Sequence, residues 1–260
     1  MNESVIGILG GLGPSATCSL FQKVIHATSV EKDQDHFRVL IDSNPKIPDR
    51  TAAILYGGEN PVPMMVQTAQ NLERAGANIL LIPCMTAHYF YDQLISGVHV
   101  SFVNAFDVLA AHLGQSYPSL HTVGVLCTSG SKAADLFGKK LPGYSIVYPE
   151  DGSQKEEVME AVYGEQGIKR GNTGTYPRQL LKKAADKLVE RGCELIVCGC
   201  TEVELALKQE DVSVPLIDPM QLMAERVTKR LAELNELEAP SSERQSIPHN
   251  RLTYTLPASS

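Results

Sequence analysis

The chain predicts an α/β fold of two similar domains, each a mainly parallel sheet flanked by helices, related by pseudo-twofold symmetry with a site in the cleft between them. Three observations carry this. Short apolar runs alternate with longer segments of helical period, the pattern of a parallel sheet covered by helices. The runs number eight, four in each half. The chain also repeats itself: three matches occur in the same order at a separation of about 115 residues.

The strands are expected at Val5–Leu9, Phe37–Ile41, Ile79–Ile82 and Val100–Val103, then at Thr122–Leu126, Tyr144–Tyr148, Leu195–Cys198 and Leu216–Ile217. Helical periodicity fills Pro14–Ala27, Pro63–Ala75, Tyr176–Arg191 and Met220–Leu237. In the repeat, Leu72 to Cys84 aligns without gaps to Leu188 to Cys200, Val5-Ile6-Gly7-Ile8-Leu9 matches Thr122-Val123-Gly124-Val125-Leu126, and Val98 to Asn104 resembles Val212 to Asp218. Units of this length are too long for a solenoid and read as a duplicated βα domain. The expected division is 1–105 plus 213–237 for the first domain and 106–212 for the second. Residues 238–260 mix Pro, Ser and charges without period and read as a tail.

Composition excludes several classes. With 23 Lys and Arg against 30 Asp and Glu, the formal charge is −7, so there is no basic footprint for nucleic acid. No apolar run reaches the roughly 20 residues of a membrane span, and the start enters an apolar strand without the basic lead of a signal peptide. Six cysteines without secretion signals favour reduced thiols. The expected location is cytoplasmic.

Two segments stand where ligands bind in open parallel sheets, beyond the carboxyl ends of strands. They are Ile82-Pro83-Cys84-Met85-Thr86-Ala87-His88 and Cys198-Gly199-Cys200-Thr201-Glu202. Cys84 and Cys200 are equivalent in the repeat, so facing domains bring both sulfurs to one cleft. A helix opening there favours a thiolate; buried small hydrophobes are the alternative. A zinc site among Cys193, Cys198 and Cys200 lacks the paired spacing. Gly10-Gly11-Leu12-Gly13-Pro14 formally fits a dinucleotide fingerprint, but the acidic residue that should follow is misplaced. It reads better as a glycine turn with Pro14 opening a helix and Gly11 offering backbone N–H groups to a carboxylate. In Ile47-Pro48-Asp49-Arg50-Thr51, expected in a loop, Arg50 is suited to clamp a carboxylate, unless it is a surface residue paired with Asp49. Lys169 lies between helical segments. His88 stands one turn after Cys84, to touch it or to be satisfied by backbone.

Together, Gly10 to Pro14, Ile47 to Thr51, Pro83 to His88, Gly167-Ile168-Lys169 and Gly199-Cys200-Thr201-Glu202 resemble the aspartate/glutamate racemase superfamily, with Glu202 pointing to the aspartate branch. The similarity runs from about Val5 to Leu234. It implies two facing α/β domains, a homodimer, a small amino-acid substrate, and no pyridoxal phosphate, metal or nucleotide. It implies interconversion of L- and D-aspartate with Cys84 and Cys200 as the acid/base pair. It assigns side-chain carboxylate binding to Arg50 and Lys169, and binding of the substrate's backbone groups to Thr86 and Thr201. Met85 departs from the pattern: relatives carry Asn there to hold the α-carboxylate, and a thioether cannot donate. Other readings of the same site are a broad-specificity amino-acid or glutamate racemase, a maleate-isomerase-like enzyme, and a non-catalytic binder of acidic metabolites.

Overall fold

The computed structural model describes residues 4–238; the tail expected at 238–260 lies outside them except for its first residue. Two four-stranded parallel sheets are present. The first contains β1 (Val5–Gly10), β2 (Arg38–Ser43), β3 (Ile79–Leu81) and β4 (Ser101–Phe102), in the order β2-β1-β3-β4. The second contains β5 (Thr122–Leu126), β6 (Ser145–Val147), β7 (Leu195–Cys198) and β8 (Leu216–Ile217), in the order β6-β5-β7-β8. The same strand order in both sheets is the structural form of the repeat. All eight expected strands are there, three with the expected ends and five with ends shifted by a residue or two.

The repeat also shows in packing. A Cβ on Gly7 of β1 would stand 2.3 Å from Leu80 Cδ2 and 2.9 Å from Ala77 Cβ. One on Gly124 of β5 would stand 2.5 Å from Ile196 Cδ1 and 3.1 Å from Cys193 Sγ. Ala77 and Leu80 align to Cys193 and Ile196 in the repeat, so both halves omit the same side chain for the same steric reason. Both central strands are buried on both faces, which is why they read as unbroken apolar runs.

Among the described residues, six α-helices of seven or more residues cover the sheets: α1 (Pro14–Ala27), α2 (Arg50–Tyr56), α3 (Val62–Arg74), α4 (Ala105–Ser116), α5 (Thr175–Glu190) and α6 (Pro219–Glu238). Helix α1 starts with Pro14 in its first turn and buries Ala16, Thr17, Leu20 and Val24, the spacing of one face. Helix α2 corrects the loop expected around Arg50. Its N-terminus is capped by Asp49, whose Oδ1 accepts from Ala52 N at 2.7 Å, and Gly57 ends it in the left-handed region at φ +64°. Asp49 therefore serves as a helix cap, and no Asp49–Arg50 ion pair forms.

The segment 213–217, grouped by sequence with the first domain, contributes β8 to the second sheet through its pairing with β7. Only α6 returns to the first half, where it packs on α1 and α4. One core cluster spans both halves, joining Ile6 and Ile8 of β1 to Val123 and Val125 of β5. Phe106 and Phe137 meet edge to face within it, at 4.9 Å between ring centres. Among the described residues no helix is long and apolar enough to cross a membrane.

Candidate active site

The loops after β1, β2 and β3 and those after β5 and β7 converge at the carboxyl ends of the two central strands. Arg50, at the first turn of α2, is only 8% exposed, which removes the surface-arginine alternative. Its Nη1 donates to the carbonyls of Ile47 (3.2 Å) and Pro48 (2.9 Å), and Nη2 donates to that of Leu12 (2.8 Å). Arg50 thus ties the glycine loop to the turn after β2, while its Nε has no partner. Burial opposes the guanidinium charge, but Cys84 and Asp49 outweigh it and hold Arg50 above its ordinary pKa.

Cys84 follows β3 and precedes the 3₁₀ segment Thr86–Phe90, which runs straight into a short α-helix, Tyr91–Ile95; Cys200 precedes the four-residue helix Val203–Ala206. Each cysteine spends its N–H on a backbone carbonyl: Cys84 on Ile82 (2.8 Å), Cys200 on Leu126 (2.9 Å). The surroundings of each sulfur come from side chains more than from helix ends. Cys84 and Cys200 are both buried and line the same cavity, together with Arg50, Met85, Lys169 and Thr201.

His88 takes the backbone-satisfied role. Its Nδ1–H donates to Cys84 O at 3.0 Å, and its Nε2 accepts from Ala105 N at 3.2 Å. The ring is locked as the neutral tautomer, and burial pushes its pKa down from 6.5 to about 4. The unfolded state therefore takes up a proton that the fold refuses, and stability is lost as pH falls from about 6.5 to 4. The loss at pH 4 is about 3 kcal/mol at 1.36 kcal/mol per unit. Unfolding midpoints followed across that window should fall for the parent protein and fall distinctly less for His88→Gln; parallel curves would show that His88 does not titrate this way.

The second half contributes hydroxyls that the sequence did not single out. Thr86 Oγ1 and Thr128 Oγ1 lie 3.0 Å apart, and Ser131 Oγ donates to Thr86 Oγ1 at 3.0 Å. This buried triangle joins the two halves. Thr51 Oγ1, buried without a partner, lines the same cavity as Thr86 and Thr128. Tyr163 also lines it, its ring 5.3 Å from Lys169 Nζ. Burial, then Cys200 and Asp49, push its phenol well up, so it stays protonated.

Glu202, 3% exposed, is the hub of the remaining contacts. Its Oε1 accepts from Lys169 Nζ at 2.6 Å, and its Oε2 accepts from Cys200 Sγ at 3.0 Å. Thr201 Oγ1 donates to Pro83 O across the two halves and lies near Glu202 Oε2, 3.2 Å in each case. Burial and then the Glu202 carboxylate push the Cys200 thiol well above its ordinary pKa, with Lys169 pulling the other way. Cys200 is therefore held as a thiol. Gly11, by contrast, lines an outer pocket of about 340 Å³ that shares Leu12, Arg50, Lys169 and Glu202 with the inner cavity. Its N–H is engaged by Thr17 Oγ1 at 2.9 Å, so the turn holds shape here and offers that donor to nothing else. The inner cavity has a volume of about 10 Å³, room for one water. Among the described residues no cluster of three His, Cys, Asp or Glu could hold a metal ion.

The chain belongs to a known class of isomerase. Residues 9–227 match the Asp/Glu/Hydantoin racemase family, and the chain is a member of that family, a racemase. It is 22% identical over 228 residues to the broad specificity amino-acid racemase RacX of Bacillus subtilis (strain 168), covering 85% of this chain and 95% of that protein. The Picrophilus torridus aspartate racemase superposes with a TM-score of 0.74 at 24% identity, covering 88% of this chain and 94% of the other. An aspartate racemase homologue from Pyrococcus horikoshii OT3 superposes with a TM-score of 0.67 at 27% identity, covering 90% and 99%.

Proposed function

We propose that the protein racemises a free amino acid without a cofactor, using Cys84 and Cys200 as a two-base pair in the cleft between its halves. The observation that carries this reading is that these repeat-equivalent thiols line one cavity, which the Arg50 cation also lines, with Cys200 held protonated against Glu202. Inverting an α-carbon requires a proton to leave one face and another to arrive at the opposite face. Cys84, as thiolate, takes the α-proton and becomes a thiol; Cys200 delivers its proton to the other face and becomes the thiolate. The reverse reaction exchanges the roles, and the titration belongs to the pair. The hydroxyls of Thr86 and Thr128, which line the cavity, suit the α-carboxylate, whose charge grows as the carbanion forms. They supply donors where Met85 cannot. A cavity with room for one water must open to admit substrate, and closing again would exclude solvent from the carbanion.

Aspartate is the substrate that a free Arg50–Lys169 clamp would take, and the aspartate racemase neighbours support it. The broad-specificity Bacillus relative supports a wider substrate class. A homodimer is proposed on the resemblance alone. The test is a chiral assay over a panel of free amino acids in D₂O, after dialysis against chelator and with nothing added. Inversion coupled to one deuterium at the α-carbon is expected. Activity that returns only on adding pyridoxal phosphate or a metal would sink the reading.

A further inference from the structure

Each cysteine is followed four residues later by a side chain that fastens its loop. Continued past the cysteines without a gap, the match of Cys84 to Cys200 carries His88 to Glu204, and the later match carries Asn104 to Asp218. In the first half the fastening is neutral and internal. His88 donates from Nδ1 to the Cys84 carbonyl and accepts at Nε2 from the Ala105 N–H. Ala105 adjoins Asn104, which caps α4 by accepting from Phe106 N at 2.9 Å. In the second half Glu204 turns to the other half. Its Oε1 accepts from Ser19 Oγ at 2.6 Å and pairs with Lys23 Nζ at 2.7 Å, both on α1. Lys23 Nζ also reaches Asp218 Oδ2 at 3.2 Å, and Asp218 Oδ1 accepts from Met220 N in the first turn of α6. Both loops are thus tied to the start of the helix that follows the next strand. In the second half, the tie runs through a residue of the first.

This tie acts on Cys200. Val203–Ala206 is a single helical turn, and a helix that short has no stability of its own. Its place is set by what its side chains touch. Val203 and Ala206 sit in the core of the second half, while Glu204 meets α1. Cys200 comes just before this turn, its carbonyl accepting from Val203 N at 3.0 Å. Thr201 touches the first half at Pro83 O; Glu204 supplies a second point of contact, and two points fix the orientation of the segment between them. Helix α1 is a firm platform, with Leu20 and Val24 buried, and Ser19 and Lys23 lie one turn apart on it, where side chains meet. The charges are mostly covered: 12% of the Lys23 side chain is exposed, 15% of Glu204 and 18% of Asp218, so salt screens them less than it would at the surface. Two groups that serve opposite faces of one α-carbon must keep their separation, and a displacement of about 1 Å costs about a hundredfold.

We propose that Lys23 is a positioning residue for Cys200: by holding Glu204 against α1 it sets the second thiol at its working distance from the first. This rests on the racemase reading above. The loop of Cys84 is tied by His88 within the half that carries it, so loss of Lys23 falls on one thiol and spares the other. A residue that merely stabilised the fold would affect both alike.

Two substitutions test it: Lys23→Met, which keeps the length of the side chain without its charge, and Glu204→Met, which removes the tie but leaves Lys23 balanced by Asp218. Peptide-resolved amide hydrogen exchange is measured on each. Deuterium wash-in at the α-carbon of an amino acid that the parent racemises is measured with each placed in Cys84→Ser and in Cys200→Ser. Amides from Cys200 to Leu207 are expected to exchange at least about tenfold faster, the size of one charge-assisted contact, with those from Cys84 to Tyr91 unchanged. Wash-in at saturating substrate is expected to fall about tenfold where Cys200 is the remaining thiol, and by less than about twofold where Cys84 is. Lys23→Met/Glu204→Met should lose no more than the worse single variant, because both remove the same contact. Equal losses in the two cysteine backgrounds, or unchanged exchange from Cys200 to Leu207, overturn the proposal. If Lys23→Met does not fold, Glu204→Met decides by the same two criteria. Faster exchange from Cys200 to Leu207 with no wash-in by either cysteine variant would instead bring down the two-thiol reading, leaving the tie between Lys23 and the loop in place.

Discussion

Cys84→Ser and Cys200→Ser each lower racemisation by at least about a hundredfold while leaving the unfolding midpoint close to that of the parent. Serine nearly matches the size of cysteine, and both side chains are buried, so the packing survives. The chemistry does not, because an alcohol is far too weak an acid to serve as the ionised member of the pair. Proton transfer by a positioned group contributes roughly 10²- to 10⁴-fold, and groups that act as a unit lose most of the effect when either is removed. Cys200→Ser retains a hydroxyl for Glu202 Oε2, where the thiol now donates at 3.0 Å, which separates loss of acidity from loss of that hydrogen bond. Each single variant should still wash deuterium into one enantiomer only, and opposite enantiomers should respond in the two variants. The assay is chiral chromatography with mass detection. Retention of more than about a hundredth of the parent rate by either variant would falsify the paired role.

Gly11→Ala should be among the most destabilising single substitutions in the first half. Gly11 has φ +86°, and a Cβ there would stand 2.3–2.5 Å from the backbone of Asn44. The left-handed conformation alone costs roughly 1–2 kcal/mol for an L-residue. The clash is with main chain that is itself held, since Asn44 N donates to Gly10 O at 3.2 Å and Asn44 Nδ2 to Thr68 Oγ1 at 3.1 Å. A total of about 3 kcal/mol or more is expected, or a fall in Tm of about 6 °C or more for a chain of this size. Gly76→Ala is the control: φ is +98° with nothing within 4 Å of the added Cβ, so only the conformational cost applies. Equal melting temperatures for the two variants would show that the Asn44 contact yields freely.

The fold was legible because parallel strands buried on both faces leave unbroken apolar runs, and because the duplication writes each of them twice. Helix α2 escaped notice since seven residues hold barely two turns of period. Its punctuation was visible all the same, in Asp49 at one end and Gly57 at the other. The cysteines were legible through their equivalence. Thr128 was not singled out, although the offset that carries Gly7 to Gly124 also carries Gly11 to Thr128 and so pointed at a site-facing loop. Ser131 and Tyr163 had no such signal: an isolated hydroxyl in a connecting segment looks the same whether it faces solvent or a cavity, and only the docking of the halves decides. The Lys169–Glu202 pair was out of reach for the same reason, with 32 residues between its members.

The return of α6 to the first half has a consequence for how the duplicated halves depend on one another. The last strand of the second sheet and the helix that seals α1 and α4 are one continuous stretch, from Leu216 to Glu238. The first 116 residues hold a complete sheet with α1 and α4 but lack the helix that packs on both, so Leu20, Val24, Leu109 and Leu113, all buried in the whole protein, would lose part of their cover in any chain ending before Pro219. A cut between the sheets therefore leaves α6 in one piece and the α1 it covers in the other.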